Sequence, residues 1–277
     1  MAIWEDFEID STNYLNRRFG NYAQFDCQGG SDSTISDIEV RTQSGKCFYI
    51  EAKHCPAQCG QFVLLPNVGT RTFEYSRLNA TMLNQHSRAI IEHMNQYFDD
   101  YKEAGTTGKD IDMKNGPAIF SAWIVQAYKD KGAKLIITND NIILPLEDFA
   151  RCFYVTAKYR VKRSGSSSVG KGRMTIVNNY VKNNYPITSS IVSGDKLFIT
   201  SNRYLHDKRF VISGNEYMIS QREQRYEIRR LSNTFNANVI FSIELKPGVH
   251  GLSDREFISQ YFDFETASLK DTYFLIA

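Results

Sequence analysis

The amino-acid sequence predicts an α/β core followed by a β-rich lobe, on three observations. Residues 2–18 place apolar side chains at helical spacing, and three short strand candidates follow before residue 55. Residues 72–102 again repeat apolar side chains at roughly helical spacing. From residue 153 onward, short runs rich in Val, Ile, Tyr and Thr alternate with Ser, Gly and Asn clusters, as in consecutive strands. We therefore expect a mixed sheet flanked by helices, with a β-rich C-terminal part.

The individual elements of the core follow from periodicity and from turn residues. Trp4, Phe7, Tyr14 and Leu15 form the apolar stripe of the first helix, and Gly20 ends it. In chain order, the predicted core elements are a helix at 2–18, strands at 21–27, 35–42 and 46–54, a short apolar run at 62–65, helices at 72–102 and 118–130, a hairpin turning at 139–141, and a short helix at 146–153.

Charge is unevenly distributed along the chain. The net charge is −6 for residues 1–150, +11 for residues 151–240 and −3 for residues 241–277, which leaves +2 for the whole protein. A strongly basic segment beside an acidic core is typical of a polyanion-binding surface, and the alternative is an ordinary solvated face. We predict a catalytic core at 1–150 and a basic β-rich lobe at 151–277, either separate or packed with the core as one domain.

Composition excludes several classes of protein. Apolar residues make up 42% of the chain, which is enough for a packed core, and no run approaches the roughly 18 apolar residues of a membrane helix. The N-terminal segment MAIWEDFEID is acidic, unlike a signal peptide. The five cysteines are an odd number without the density of a disulfide scaffold. These features predict a soluble cytoplasmic protein with reduced thiols.

The segment SDIEVRTQSGKCFYIEAKH, residues 36–54, carries the sharpest chemical signal. A three-residue loop at 43–45 would put Gly45 at the left-handed position of a hairpin turn. That register sets Asp37 opposite Glu51 and sends the apolar residues of both strands to the other face. A two-residue loop would mix polar and apolar side chains on each face, which burial opposes, so we favour the longer loop.

Two carboxylates held this close repel each other unless a cation lies between them. Their oxygens suit Mg²⁺, for which Mn²⁺ can substitute, and Lys53 lies on the same strand face two residues beyond Glu51. A metal that stabilises a phosphate, with Lys53 orienting or deprotonating a water, would form a phosphodiester hydrolysis site. The alternative is a solvated hairpin face that carries ordinary charges.

With Asp37 and the tripeptide Glu51-Ala52-Lys53 in this order of elements, residues 1–145 resemble the PD-(D/E)XK nuclease superfamily, and its type II restriction endonucleases in particular. Ser36 stands where the superfamily motif has Pro. The resemblance implies a restriction-endonuclease-like core with Asp37, Glu51 and Lys53 as catalytic residues. It also implies Asp37, Glu51 and the Ala52 carbonyl as metal ligands.

Accessory residues are less specific. An acid of the first helix, Glu5 or Glu8, could join the metal site, as it does in some members of the superfamily. Gln61 could lie beside the metal, although a role in fixing the loop backbone is favoured. The cluster His54, Cys55 and Cys59 lacks the four ligands of a structural zinc site, so zinc is disfavoured there.

Two basic clusters are the candidate DNA contacts, and the alternative for the first is a disordered linker. Arginine and lysine neutralise phosphates, and Arg and Asn suit base edges. The first cluster consists of Lys162, Arg163, Ser164, Lys171 and Arg173 around a Ser/Gly tip, and the second of Arg222, Arg225, Arg229 and Arg230, followed by Asn233, Asn236 and Asn238.

These features together predict a Mg²⁺-dependent type II restriction endonuclease acting on double-stranded DNA. One site per chain suggests a homodimer on a palindrome, although one chain could also cut the two strands in turn. The resemblance further implies a companion DNA methyltransferase as a functional partner, without physical association. The alternatives are a structure-specific repair or junction-resolving nuclease, and a DNA-binding regulator without enzymatic activity.

Overall fold

A computed structural model describes residues 3–28, 35–166, 168–170 and 172–262. The helices are α1 (Ile3–Phe19), α2 (Gln85–Gln96), α3 (Phe98–Lys102), α4 (Gly116–Asp130), α5 (Phe149–Cys152), α6 (Met174–Asn184) and α7 (Asp254–Tyr261). The strands are β1 (Ala23–Cys27), β2 (Ile38–Thr42), β3 (Cys47–Ala52), β4 (Ala57–Asn67), β5 (Thr72–Tyr75), β6 (Lys109–Asp110), β7 (Ala133–Thr138), β8 (Ile142–Pro145), β9 (Phe153–Ser166), β10 (Ile187–Ser193), β11 (Lys196–Ser201), β12 (Arg209–Ile212), β13 (Asn215–Arg222) and β14 (Arg225–Leu245). In the described residues, no helix is long and apolar enough to cross a membrane.

The chain forms two compact units, and their limits differ from the division predicted at residue 150. The first unit comprises the residues up to Arg160 together with those from Asn238 onward, and the second comprises Val161–Ala237. The C-terminal part of β14 belongs to the first unit because residues 238–243 pair with β4. Strand pairing between distant segments therefore sets the boundary, and a change of composition along the chain does not reveal it.

A five-stranded mixed sheet organises the first unit. Its strand order is β1-β2-β3-β7-β8, in which only the β3–β7 pair is parallel. Leu15 and Phe19 of α1 pack with Ile38, Val40 and Ile50 in the core on one face of this sheet. The mixed sheet predicted from the order of elements is confirmed.

The register predicted for the β2–β3 hairpin is confirmed. Ile38 pairs with Ile50, and Val40 pairs with Phe48. The amide of Thr42 donates to the carbonyl of Lys46 at 2.9 Å, which closes a three-residue loop, and Gly45 has the expected positive φ of 84°. Since apolar residues of both strands are buried on one face, the odd-numbered residues near Asp37 and Glu51 lie on the other face.

The predicted long helix at 72–102 is wrong in its first third. Residues 72–75 form β5, and α2 begins only at Gln85. The Asn84 side chain accepts hydrogen bonds from the amides of His86 and Ser87, which fixes the helix start. Leu78 and Met82, which the helical pattern placed in the core, are 93% and 83% exposed. Tertiary pairing of β5 with β4 overrides the local apolar periodicity.

Two helices were not predicted from the sequence. The first, α6, is rich in Asn and β-branched residues, which have low helix propensity. Its buried face is formed by Val177 and Val181. The second, α7, begins with a capping box formed by Ser253 and Glu256, a sequence signal that could have been recognised. Phe257 of α7 packs edge-on against Phe19, with 4.8 Å between the ring centroids.

The second unit contains a run of five antiparallel strands with α6 packed against them, and these strands are part of a nine-stranded sheet. The strand order is β10-β11-β14-β13-β12. Leu197, Tyr217 and Ile228 share a buried cluster with Val177 and Val181 of α6. The β-rich character predicted for this part of the chain is confirmed.

Replacing Gly45 with Ala should lower the free energy of unfolding by about 1 kcal/mol, because an Ala Cβ strains the positive-φ conformation that closes the β2–β3 turn. No atom lies within 4 Å of the added Cβ, so the effect would come from the backbone alone. Urea denaturation measures it. Gly69→Ala is the matched control, since Gly69 does not have positive φ and its added Cβ meets only the Asn67 side chain, at 3.4 Å. Equal losses in both variants would contradict this explanation.

Candidate active site

Asp37, Glu51 and Lys53 meet at the end of β3, as the hairpin register predicted. The Lys53 Nζ lies 2.5 Å from Asp37 Oδ2 and 3.1 Å from Glu51 Oε2. The backbone amide of Ala52 also donates to Asp37 Oδ2, at 2.8 Å. One ammonium group therefore holds both carboxylates.

The backbone that carries Lys53 is fixed by residues at the end of β7. The Lys53 amide donates to the carbonyl of Ile137 at 2.9 Å, and the Thr138 hydroxyl donates to the Lys53 carbonyl at 2.7 Å. Asn139 then accepts from the Cys55 amide at 2.6 Å and donates to the Cys55 carbonyl at 2.8 Å. The sequence placed Asn139 in the predicted hairpin turn but gave neither Thr138 nor Asn139 a role at the site, although polar residues at the end of a buried strand could have suggested one.

Burial and charge make the three side chains interdependent. Glu51 is 2% exposed, and its pKa is raised by this burial and by repulsion from Asp37, against the attraction of Lys53. Burial by itself lowers the pKa of Lys53, but attraction and hydrogen bonds from Glu51 and Asp37 outweigh it and raise the pKa. Lys53 is therefore an ammonium that compensates the charge of the acids.

Two buried groups, Tyr128 and Cys59, lie within electrostatic range of Glu51. The Tyr128 hydroxyl of α4 donates to the carbonyl of Cys59 in β4 at 2.7 Å. Burial raises the pKa of Tyr128 well above its ordinary value, as do the charges of Glu51 and Asp37, and burial also raises the pKa of the Cys59 thiol. Both groups stay neutral, so they add no charge beside the acids.

The donor set fits a hard divalent cation. Glu51 Oε1 is buried, and it has no hydrogen-bond partner among the described residues, which leaves a carboxylate oxygen available as a ligand. Asp37 supplies a second carboxylate, and the Ala52 carbonyl stays the predicted third oxygen. Within the described residues, no group of three or more His, Cys, Asp or Glu side chains could hold a metal, so remaining ligands would come from water or phosphate.

The accessory residues lie on the neighbouring elements. Glu8 of α1 is buried, and the Phe7 ring beside it lies edge-on to His54 with 5.2 Å between centroids. The helix therefore reaches the residue that follows Lys53, and a metal-binding role for Glu8 stays a prediction. The side chain of Glu5 lies outside the described residues.

Gln61 lies in strand β4, and not in the loop that the sequence suggested. Its side-chain oxygen accepts hydrogen bonds from Asn238 at 3.0 Å and from Gln58 at 3.4 Å. These contacts tie Gln61 to the β4–β14 pair.

The first basic cluster is described only in part. Lys162 is exposed, whereas Lys171 and the side chains of Arg163 and Ser164 lie outside the described residues. Arg173 directly precedes α6, and its side chain lies beside Gly170 together with the guanidinium of Arg230.

Strand alternation divides the second basic cluster, which the sequence presented as one group. Tyr226 and Ile228 point into the buried cluster of the second unit, so Arg225 and Arg229 lie on the opposite face of β14. Arg230 lies on the same face as Ile228. The Arg225 guanidinium is 3.9 Å from the centroid of the Phe198 ring, a cation–π contact.

Comparison with known proteins identifies one solved structure that is similar over nearly the whole chain. No protein-family model matches the sequence. No curated protein matches it either. The HhaI endonuclease, solved in complex with DNA, is 36% identical, with a TM-score of 0.68, over 92% of this chain and 95% of that chain.

This likeness confirms the predicted fold class, a restriction-endonuclease-like core with additional β-rich sheets. Identity at this level, extending over nearly all of both chains, shows that the protein belongs to the HhaI endonuclease family.

Proposed function

We propose that this protein is a Mg²⁺-dependent type II restriction endonuclease of the PD-(D/E)XK superfamily, which hydrolyses phosphodiester bonds at a specific sequence of double-stranded DNA. The observation that carries the proposal is the shared contact of Asp37 and Glu51 with Lys53. Membership of the HhaI endonuclease family supports it, because that endonuclease was solved in complex with DNA.

Asp37, Glu51 and the Ala52 carbonyl are the groups that would hold the metal. When bound, Mg²⁺ or Mn²⁺ supplies charge stabilisation at the phosphate and makes a bound water more acidic. The unpartnered Oε1 of Glu51 supports this assignment, since a buried carboxylate oxygen without a hydrogen bond is costly unless a cation or donor meets it.

Lys53 acts through its positive charge. An ammonium group has three donors and no acceptor, so Lys53 can orient a water or a phosphate oxygen but cannot accept a proton in this form. Its raised pKa keeps it charged while both acids contact it. Hydrogen bonds from Lys53 to the phosphate would therefore favour the transition state, in which negative charge increases on the phosphate oxygens.

The second unit supports the choice of DNA as substrate. Residues 161–237 contain 13 Lys and Arg against five Asp and Glu. Neutralisation of phosphates by such residues provides affinity that does not depend on sequence. The homodimer, the companion methyltransferase and the cytoplasmic location stay predictions that accompany this proposal.

Incubation of long DNA with the protein and Mg²⁺ should give discrete fragments whose ends share one sequence, and EDTA should prevent cutting. Sequencing the ends identifies the site. A smear, a preference for branched substrates, or binding without cutting would contradict the proposal and favour the two alternatives considered from the sequence.

The same digestion of a supercoiled plasmid with one site tests the oligomer. A homodimer that cuts both strands in one binding event gives linear product directly. Accumulation of nicked circles before linear product would contradict the homodimer and indicate sequential cutting by one active site.

Replacing Lys53 with Met should reduce the cleavage rate by at least about 10³-fold, the size expected when a group that stabilises transition-state charge is lost. Affinity for the same DNA, measured by fluorescence anisotropy in Ca²⁺, should persist. Lys134→Met removes another lysine of the first unit, which lies over the Phe48 ring, and should cut normally. A Lys53→Met enzyme with full activity would remove Lys53 from the mechanism.

Asp37→Asn and Glu51→Gln should each abolish the stabilisation of the protein by Mn²⁺. A ligand present at about 100 times its Kd stabilises the folded state by about 2.7 kcal/mol, which raises the melting temperature by several degrees. Differential scanning fluorimetry and calorimetric titration with Mn²⁺ measure the two effects. Asp148→Asn is the control, because Asp148 contacts Arg151 on the protein surface. Unchanged Mn²⁺ binding in either site variant would exclude that residue as a ligand.

A further inference from the structure

The turn between β13 and β14 brings two arginines side by side. Arg222 ends β13, Arg225 begins β14, and the two residues pair directly across the hairpin. Like charges at such positions destabilise a hairpin, so the pair has a cost for folding. The two guanidinium groups have different contacts, since that of Arg225 lies over the Phe198 ring while Arg222 Nε donates to Glu227 Oε2 at 2.9 Å.

Glu227 is a buried acid on a strand face that the hydrophobic cluster does not use. It is 3% exposed, and it lies between Tyr226 and Ile228, whose side chains point to the other face. Burial of a carboxylate is costly unless it is paired and hydrogen-bonded. The pair with Arg222 meets that requirement.

The ion pair is asymmetric in its exposure. The side chain of Glu227 is 4% exposed, whereas that of Arg222 is 51% exposed. Glu227 therefore holds the inner edge of the guanidinium, and the outer edge faces solvent. Among the residues that the structure describes, the two terminal nitrogens of Arg222 have no hydrogen-bond partner, so a planar pair of donors is available.

This arrangement suits a base better than a phosphate. The charge of Glu227 already compensates that of Arg222, so the pair gains less from neutralising a phosphate than an unpaired arginine does. A guanidinium held in one orientation loses less side-chain entropy when it binds, which favours directional contacts. Its two parallel donors match the O6 and N7 acceptors that guanine presents in the major groove.

We propose that Arg222 reads the major-groove edge of a guanine in the DNA target, and that Glu227 is the residue that positions it. The inference rests on the proposed function, since it requires a DNA sequence that the protein recognises. Under this proposal Arg222 determines sequence specificity, which distinguishes it from the other basic residues of the second unit.

The test replaces each guanine of the recognition sequence in turn with 7-deazaguanine, which lacks the N7 acceptor. Binding to the wild-type protein, measured by anisotropy in Ca²⁺, should weaken about fivefold to tenfold at the guanine that Arg222 reads. In Arg222→Ala, replacing that one guanine with 7-deazaguanine should no longer weaken binding. The loss of affinity that such a replacement causes, here called the 7-deazaguanine penalty, should persist at the other guanines. Arg222→Lys should behave similarly, because a lysine keeps the charge but cannot form the bidentate contact.

Glu227→Gln tests the positioning role. It removes the charge that holds Arg222 and should reduce the 7-deazaguanine penalty at the same guanine only. Arg209→Ala is the control, since Arg209 is an exposed arginine of β12 that contacts Glu216 at 3.7 Å. This variant should keep the wild-type 7-deazaguanine profile. Circular dichroism and the melting temperature establish that each variant is folded.

Three results would overturn the inference: an Arg222→Ala profile identical to wild type, a uniform loss of affinity across all DNA sequences as for a phosphate contact, or a recognition sequence made only of A·T pairs. These results differ from failure of the proposed function. If the wild-type protein does not cut at a defined sequence, the function itself is wrong. If it cuts there but the Arg222→Ala profile is unchanged, the function stands and only the role of Arg222 is wrong.

Discussion

Two carboxylates and one ammonium lie within hydrogen-bonding distance at the end of β3, and the remainder of the site depends on their charges. Asp37 and Glu51 would repel each other in this partly dry environment if Lys53 did not contact both. The lysine compensates much of the negative charge but leaves Oε1 of Glu51 without a partner. The three charges therefore compensate each other in part, and one buried carboxylate oxygen is left for the divalent cation that we propose.

The scaffold around these charges is assembled from distant parts of the sequence. Parallel pairing with β7 places Thr138 and Asn139 against the residues that follow Glu51, where they hold the backbone of Lys53 and Cys55. Because four hydrogen bonds fix this short stretch, the backbone from which the Lys53 side chain extends is held in place. A catalytic group needs such a fixed backbone if it is to meet a reacting phosphate with little reorganisation.

The second unit uses the same physical device for a different purpose. A buried acid and a half-exposed base again form a pair, in which Glu227 constrains Arg222. At the proposed active site the buried Glu51 keeps an oxygen for the proposed cation, whereas in the second unit Arg222 keeps donors for the proposed guanine. A desolvated charge must keep its counter-charge close by. The buried partner of each pair therefore fixes the orientation of the other partner.

The sequence by itself determined the register of the β2–β3 hairpin, and with it the meeting of Asp37, Glu51 and Lys53. A two-residue period and a glycine at a left-handed turn position are local constraints, so they can be read without knowledge of distant contacts. Only the tertiary structure showed that residues 72–84 are not helical and which face of β14 packs in the buried cluster with α6. It also placed Thr138 beside Lys53. These features depend on contacts between segments far apart in the chain, and no local pattern of side chains encodes which segments pair.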